Sequence, residues 1–172
     1  STITQQLARI LFLSNEKTFD RKLKELVIAA RIEKTISKEQ ILEMYMNNVY
    51  LGSGAYGVEG AAEIYFNKKL KNLTLPELAL IAGLPQAPSV YSPFNNLDLA
   101  IKRRNQVLLR MYKMGYIDKD QYEKAKEAKV KLSTMPRYYT TNKAPYFCDL
   151  VMAELEKLGF DDTDISQGGY KV

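Results

Sequence analysis

Glu25 stands in "TFDRKLKELVIAARIEK", residues 18–34, after Arg21, Lys22 and Lys24 and just before the apolar run Leu26-Val27-Ile28-Ala29-Ala30. A carboxylate in that position feels two opposed influences. Cations within a helical turn favour its charged form, and an apolar turn disfavours it. Opposition of this kind is common around carboxylates that do chemistry. Other side chains suited to holding an anion lie close by: Arg9 with Gln5 and Gln6 on one helical face, Lys17, and the hydroxyl of Ser1. If the helix bearing Arg9 packs on the helix bearing Glu25, then Arg9, Lys17, Lys22 and Glu25 line one cleft. Several cations with amide and hydroxyl donors suit a diphosphate. Taken alone, the segment is better read as an ordinary i,i+4 ion pair on a solvated face.

The elements that would carry these residues are helical. At about 100° per residue, Leu23, Leu26, Val27 and Ala30 form one apolar stripe, expected to face a core. Glu25 lies on another side, with Arg21, Lys22, Ile28, Ala29 and Ile32. A capping box at Thr2 and Gln5 predicts a first helix with Ile3, Leu7, Ile10 and Leu11 in a stripe. Ser37 caps the next helix, and Thr74 with Glu77 forms another capping box. Further helices are expected at about 58–67, at 97–115 ending on Gly115, at 118–128 and at 144–159. "QAPSVYSPFNN" reads as a proline-punctuated loop, and 129–143 as extended or irregular. The expected fold is mainly α, with about eight helices.

Composition narrows the chemistry. The 172 residues include no histidine and one cysteine, Cys148, which exclude histidine catalysis, histidine metal ligands and an internal disulfide. Lysine and arginine outnumber aspartate and glutamate 25 to 20. Residues 145–172 hold two basic and six acidic residues, so the remainder carries 23 against 14, a net of +9. That balance points to an anionic partner. No apolar run is long enough to span a bilayer.

Two short motifs mislead. "GSGAYG", Gly52 to Gly57, fits G-x-G-x-x-G but follows a helix, so it reads as a tight loop between helices and not as a nucleotide site. Ser14 to Lys17 fits S-x-x-K, yet the K-T-G and S-D-N elements of an acylated-serine site are missing. Tyr50, Tyr56, Tyr65 and Phe66 are explained by packing, and little basic-aromatic interleaving suggests nucleic acid.

Four longer segments, in order, are more specific: "STITQQLARILFLS", "RKLKELVIAARIEK", "KEQILEMYMNNVYLGSGAYGVEGAAEIYFNK" and "LPELALIAGLPQAPSVYSP". Together they resemble the peptidoglycan glycosyltransferase domain of class A, bifunctional penicillin-binding proteins. The resemblance covers roughly residues 1–125. It implies a lysozyme-like helical fold, with residues 1–128 as glycosyltransferase domain and 129–172 as a linker toward a transpeptidase domain. It implies polymerisation of lipid II on the outer face of the cytoplasmic membrane, with the growing glycan chain and cell-wall synthesis proteins as partners and no nucleic acid. By motif match Glu25 is the catalytic carboxylate of R-K-x-x-E, and Ser1, Gln6, Arg9, Lys17 and Lys22 bind donor phosphates and sugars. A divalent cation, magnesium or manganese, is compatible with the diphosphate; no organic cofactor or metal-ligand set is implied. The family's general base lies in an upstream motif with E-D and a histidine. That motif is not in this sequence, so a chain beginning at Ser1 is expected to be inactive alone. The alternatives are a lysozyme-like glycan-cleaving enzyme and a non-catalytic helical module that binds anionic membranes or partner proteins.

Overall fold

Side-chain caps set the helix starts. In the computed structural model, which describes residues 1–13 and 18–134, Thr2 accepts from the Gln5 amide and Gln5 returns a bond to the Thr2 N–H, opening α1 (Ile3–Phe12). Thr18 caps α2 (Phe19–Thr35), and Ser37 with Gln40 forms a second capping box for α3 (Lys38–Asn48). Tyr50 and Tyr56 pair across a glycine-rich loop, and α4 (Gly57–Phe66) follows. The expected Thr74–Glu77 box opens α5 (Leu75–Gly83), and Asp118 with Gln121 opens α8 (Lys119–Glu127). Between them runs α7 (Leu97–Lys113), after which Gly115 turns with φ +77.

The fold is mainly α, as the sequence predicts, with eight α-helices among the described residues. The proline-punctuated stretch differs from expectation. It holds a 3-10 turn, Leu84–Gln86, and a one-turn helix, α6 (Pro88–Tyr91), each with a proline in its first positions, where the missing N–H costs nothing. Residues 129–134 are irregular, as expected. The 144–159 helix, Cys148, Ser14 and Lys17 lie outside the described residues.

One compact unit runs Ser1–Met135. At one end of it α1 packs against both α2 and α3. At the other, α5 packs on α7 and α7 on α8, around Ala79, Leu108, Ile117 and Ala125. Between these ends, Tyr65 of α4 is fully buried and its hydroxyl donates to the Leu51 carbonyl at 2.8 Å. The Ser53 and Ser92 hydroxyls pair at 2.7 Å beside it, so two loops are tied to α4. Arg104, 1 % exposed, spends its guanidinium on the carbonyls of Lys126 (2.6 Å) and Ala128 (2.8 Å) and on Asn105 Oδ1, capping the end of α8. Ser133 then bonds the carbonyls of Tyr65 and Ile64.

The glycine-rich loop is tight for a geometric reason. Gly52 has φ +87, and a Cβ there would lie 2.6 Å from the Pro88 carbonyl oxygen and 2.9 Å from the Tyr65 hydroxyl. Gly60, inside α4, has nothing within 4 Å of that position. The two should therefore respond oppositely to alanine. Gly52→Ala should lose about 2–4 kcal/mol of unfolding free energy, and Gly60→Ala should gain about 0.5–1 kcal/mol. Urea denaturation of the pair measures both; equal responses would refute the account of the loop.

Candidate active site

The apolar stripe expected to face the core does not. Leu23 is 61 % exposed, Leu26 and Val27 are about half exposed, and Ala30 is exposed as well. The buried residues of α2 are Glu25 and Ala29, with Arg21, Ile28 and Ile32 half-buried on the same side. The helix carries two apolar stripes, and periodicity cannot choose between them. The choice goes to the side on which Glu25 meets its partners and Glu33 reaches α1, where the Thr4 hydroxyl donates to it at 2.7 Å. That bond near the start of α1, and the influence of Arg9 on Glu25 near its end, set α1 and α2 antiparallel.

Glu25 is 3 % exposed, and both its oxygens are occupied. Arg21 Nη1 donates to Oε1, and Lys22 Nζ donates to Oε2 at 2.6 Å. The arginine is mostly buried, whereas the lysine head is half in solvent. Burial pushes the Glu25 carboxyl up. The hydrogen bond and charge of Lys22, with the charges of Arg21 and Arg9, outweigh it and hold the group below the usual carboxylate range. Arg9 itself is exposed on α1. The third wall is α3, where the Tyr45 hydroxyl donates to Gln6 Oε1 at 3.1 Å.

The structure thus brings Gln6, Arg9, Lys22 and Glu25 together at one three-helix junction. Ser1 lies before the Thr2 cap of α1 and is exposed. Lys17 lies outside the described residues. Two members of the cluster were missed as site residues. Arg21 was readable from its i,i+4 spacing to Glu25. Tyr45 was not, because only the packing of α3 on α1 gives it a partner.

The arrangement is a carboxylate that organises cations. A lowered pKa and two occupied oxygens make Glu25 a poor proton acceptor. The same features hold Arg21 and Lys22 in fixed positions, Lys22 with free donors facing solvent. Among the described residues no cluster of three or more acidic, histidine or cysteine side chains could hold a metal ion. Divalent cations seek several oxygen ligands, and those of Glu25 are taken. The described residues do not offer a ligand set for a resident divalent ion.

Fold and site together define a helical domain in which cations gather around a buried carboxylate. Residues 1–112 match the family model described as Transglycosylase. The whole chain is 44 % identical to penicillin-binding protein 1A of Pseudomonas aeruginosa, covering 21 % of that protein. Over 151 residues it is 49 % identical to penicillin-binding protein 1A of Aquifex aeolicus, covering 88 % of this chain and 20 % of that one. The crystal structure of penicillin-binding protein 1A from Haemophilus influenzae superposes with a TM-score of 0.56 at 32 % identity, over 93 % of this chain and 20 % of that one. The chain belongs to the transglycosylase family, and its helical fold is the lysozyme-like one the resemblance implies. It spans about a fifth of the length of these curated relatives.

The Glu25 cluster makes a signed prediction about pH. Its carboxyl is more acidic in the folded chain than its ordinary value of 4.5. The cluster therefore stabilises the fold fully above that pH, and the contribution is lost as pH falls through the lower folded value. Thermal unfolding of wild type and Glu25→Gln, measured from about pH 7 down to 3, should show a gap in Tm that narrows in acid. A gap independent of pH would mean that the carboxylate charge is not coupled to its neighbours in the native state.

Proposed function

We propose that this domain polymerises lipid II as a peptidoglycan glycosyltransferase, joining sugars with release of polyprenyl diphosphate. The observation that carries the reading is the set of cations, Arg9, Arg21 and Lys22, gathered around a buried carboxylate in a transglycosylase-family chain. A sugar hydroxyl of one substrate attacks the anomeric carbon of the other. The new C–O bond forms as the bond from that carbon to the diphosphate breaks, and the diphosphate leaves with the electron pair. Negative charge grows on the departing oxygens, so cations fixed in advance favour the transition state over the bound substrate. The hydroxyl proton must pass to a base other than Glu25, whose carboxyl is held too acidic for the task.

Glu25 in this scheme positions Arg21 and Lys22, while Arg9, Lys22 and Gln6 face the phosphates. Lys17 and Ser1 stand as further substrate contacts by motif match alone. If magnesium or manganese takes part, it arrives with the diphosphate. Residues 129–172 are read as the linker toward a transpeptidase domain, with the growing glycan chain and other cell-wall proteins as partners.

A second feature fits a substrate anchored in lipid. Phe12, Phe19, Leu23, Leu26 and Val27 are exposed, and four of them recur along one side of α2, the helix that carries Glu25. An exposed apolar band beside a cationic site suits the surface of an anionic bilayer, in keeping with the outer face of the cytoplasmic membrane. Among the described residues no helix is long and apolar enough to cross one.

The test uses the full-length protein with lipid II. Wild type should produce long glycan and polyprenyl diphosphate in step. Glu25→Gln should lower the rate at least about 100-fold while remaining folded by circular dichroism. Wild-type turnover in that variant would remove Glu25 from the chemistry. Shortened glycan from the wild type would identify a cleaving enzyme instead, and salt-sensitive vesicle binding indifferent to lipid II would identify a membrane-binding module.

A further inference from the structure

Tyr45 has no role in the scheme above, yet it touches the site. It lies on α3, is 7 % exposed, and its hydroxyl donates to Gln6 Oε1 at 3.1 Å. Gln6 sits three residues before Arg9, on the same face of α1. A glutamine amide has an accepting end and a donating end and can present either. With the amide turned over, the phenol would have to accept, and its own buried proton would need another acceptor. Among the described residues Gln6 is the partner that hydroxyl has. Burial pushes the pKa of the phenol up, against the opposing charge of Arg9, so the hydroxyl keeps its proton at neutral pH.

We infer that Tyr45 is a positioning residue for the substrate: by occupying Gln6 Oε1 it leaves Gln6 with N–H donors alone to offer, aimed with Arg9 at phosphoryl oxygens. A freely turning amide would present its carbonyl to the same anion part of the time, and a carbonyl oxygen facing a phosphate is repelled. The inference rests on the diphosphate reading of the site and adds a residue to it. Tyr45 acts through Gln6 and not by touching the substrate, so removal of its hydroxyl should matter only while Gln6 is present.

The experiment measures inorganic pyrophosphate affinity, and kcat and KM for lipid II, in the full-length protein and four variants: Tyr45→Phe, Gln6→Ala, the double variant, and Gln6→Glu. Tyr45→Phe should weaken pyrophosphate binding by about three- to tenfold and raise KM similarly, with kcat changed less than about twofold. In the Gln6→Ala background it should add nothing, since the two act as one unit. Gln6→Glu keeps an acceptor for Tyr45 but offers no donor, and should bind pyrophosphate more weakly than any other variant. Unchanged affinity in Tyr45→Phe, losses that add to those of Gln6→Ala, or wild-type affinity in Gln6→Glu would each overturn the inference. So would a wild type that does not bind pyrophosphate, which overturns the diphosphate reading with it. A wild type that binds pyrophosphate but makes no glycan overturns the polymerase alone, and the pyrophosphate comparison still decides Tyr45.

Discussion

A buried carboxylate with cations on both oxygens governs this end of the molecule. Glu25 can be taken from water only if its charge is met, because an unpaired ion in a helix junction costs several kcal/mol. Arg21 and Lys22 meet it from the same helix, and Arg9 adds its charge from α1. Those partners fix the rotation of α2 about its axis. Once Glu25 points inward, Leu23, Leu26 and Val27 must point outward. The apolar face that a purely hydrophobic account would bury is thereby left at the surface, on the same helix as the charged site. One electrostatic constraint produces both the cationic cluster and the exposed band next to it.

The other half of the unit supplies a frame by different means. Tyr65, Ser53 and Ser92 form a small buried polar network, and each hydroxyl has a partner in it. Arg104 is buried without a carboxylate and satisfies itself on backbone carbonyls. Neither arrangement carries a net ion pair that a bound anion could disturb. Packing of α5, α7 and α8 is ordinary apolar burial. The buried carboxylate of this half, Glu77, is met by the Lys68 ammonium and by the Thr74 cap, so it too is paired.

Much of this was legible in the sequence. The three expected N-caps, Thr2, Ser37 and Thr74, appear where side-chain oxygens precede an apolar run, because capping depends on neighbours a few positions away. The cationic cluster around Glu25 was legible for the same reason. What failed was the facing of α2, which depends on a partner helix and not on the periodicity of the helix itself. Tyr45 was hidden for a related reason: its relation to Gln6 spans 39 residues and exists only because α3 lies against α1. The one-turn helix at Pro88–Tyr91 was read as loop, since a single turn leaves no periodic signal.

The carboxylate also explains why so many cations can stand together before any substrate arrives. Arg9, Arg21 and Lys22 without Glu25 would repel one another, and flexible lysine and arginine chains would relieve that strain by spreading into water. An incoming diphosphate would then have to gather them and bear the ordering cost. With Glu25 in place, one of the three positive charges is offset and the geometry of the cluster is already set. Arg21 is held in the interior, while Lys22 keeps its head half in solvent and can turn toward a second anion. Such a site binds the ground state only moderately, because Glu25 repels what the cations attract. In the reaction proposed above, as the diphosphate departs and its charge grows, attraction by three cations would outgrow repulsion by one carboxylate, and the stabilisation would rise along the reaction coordinate.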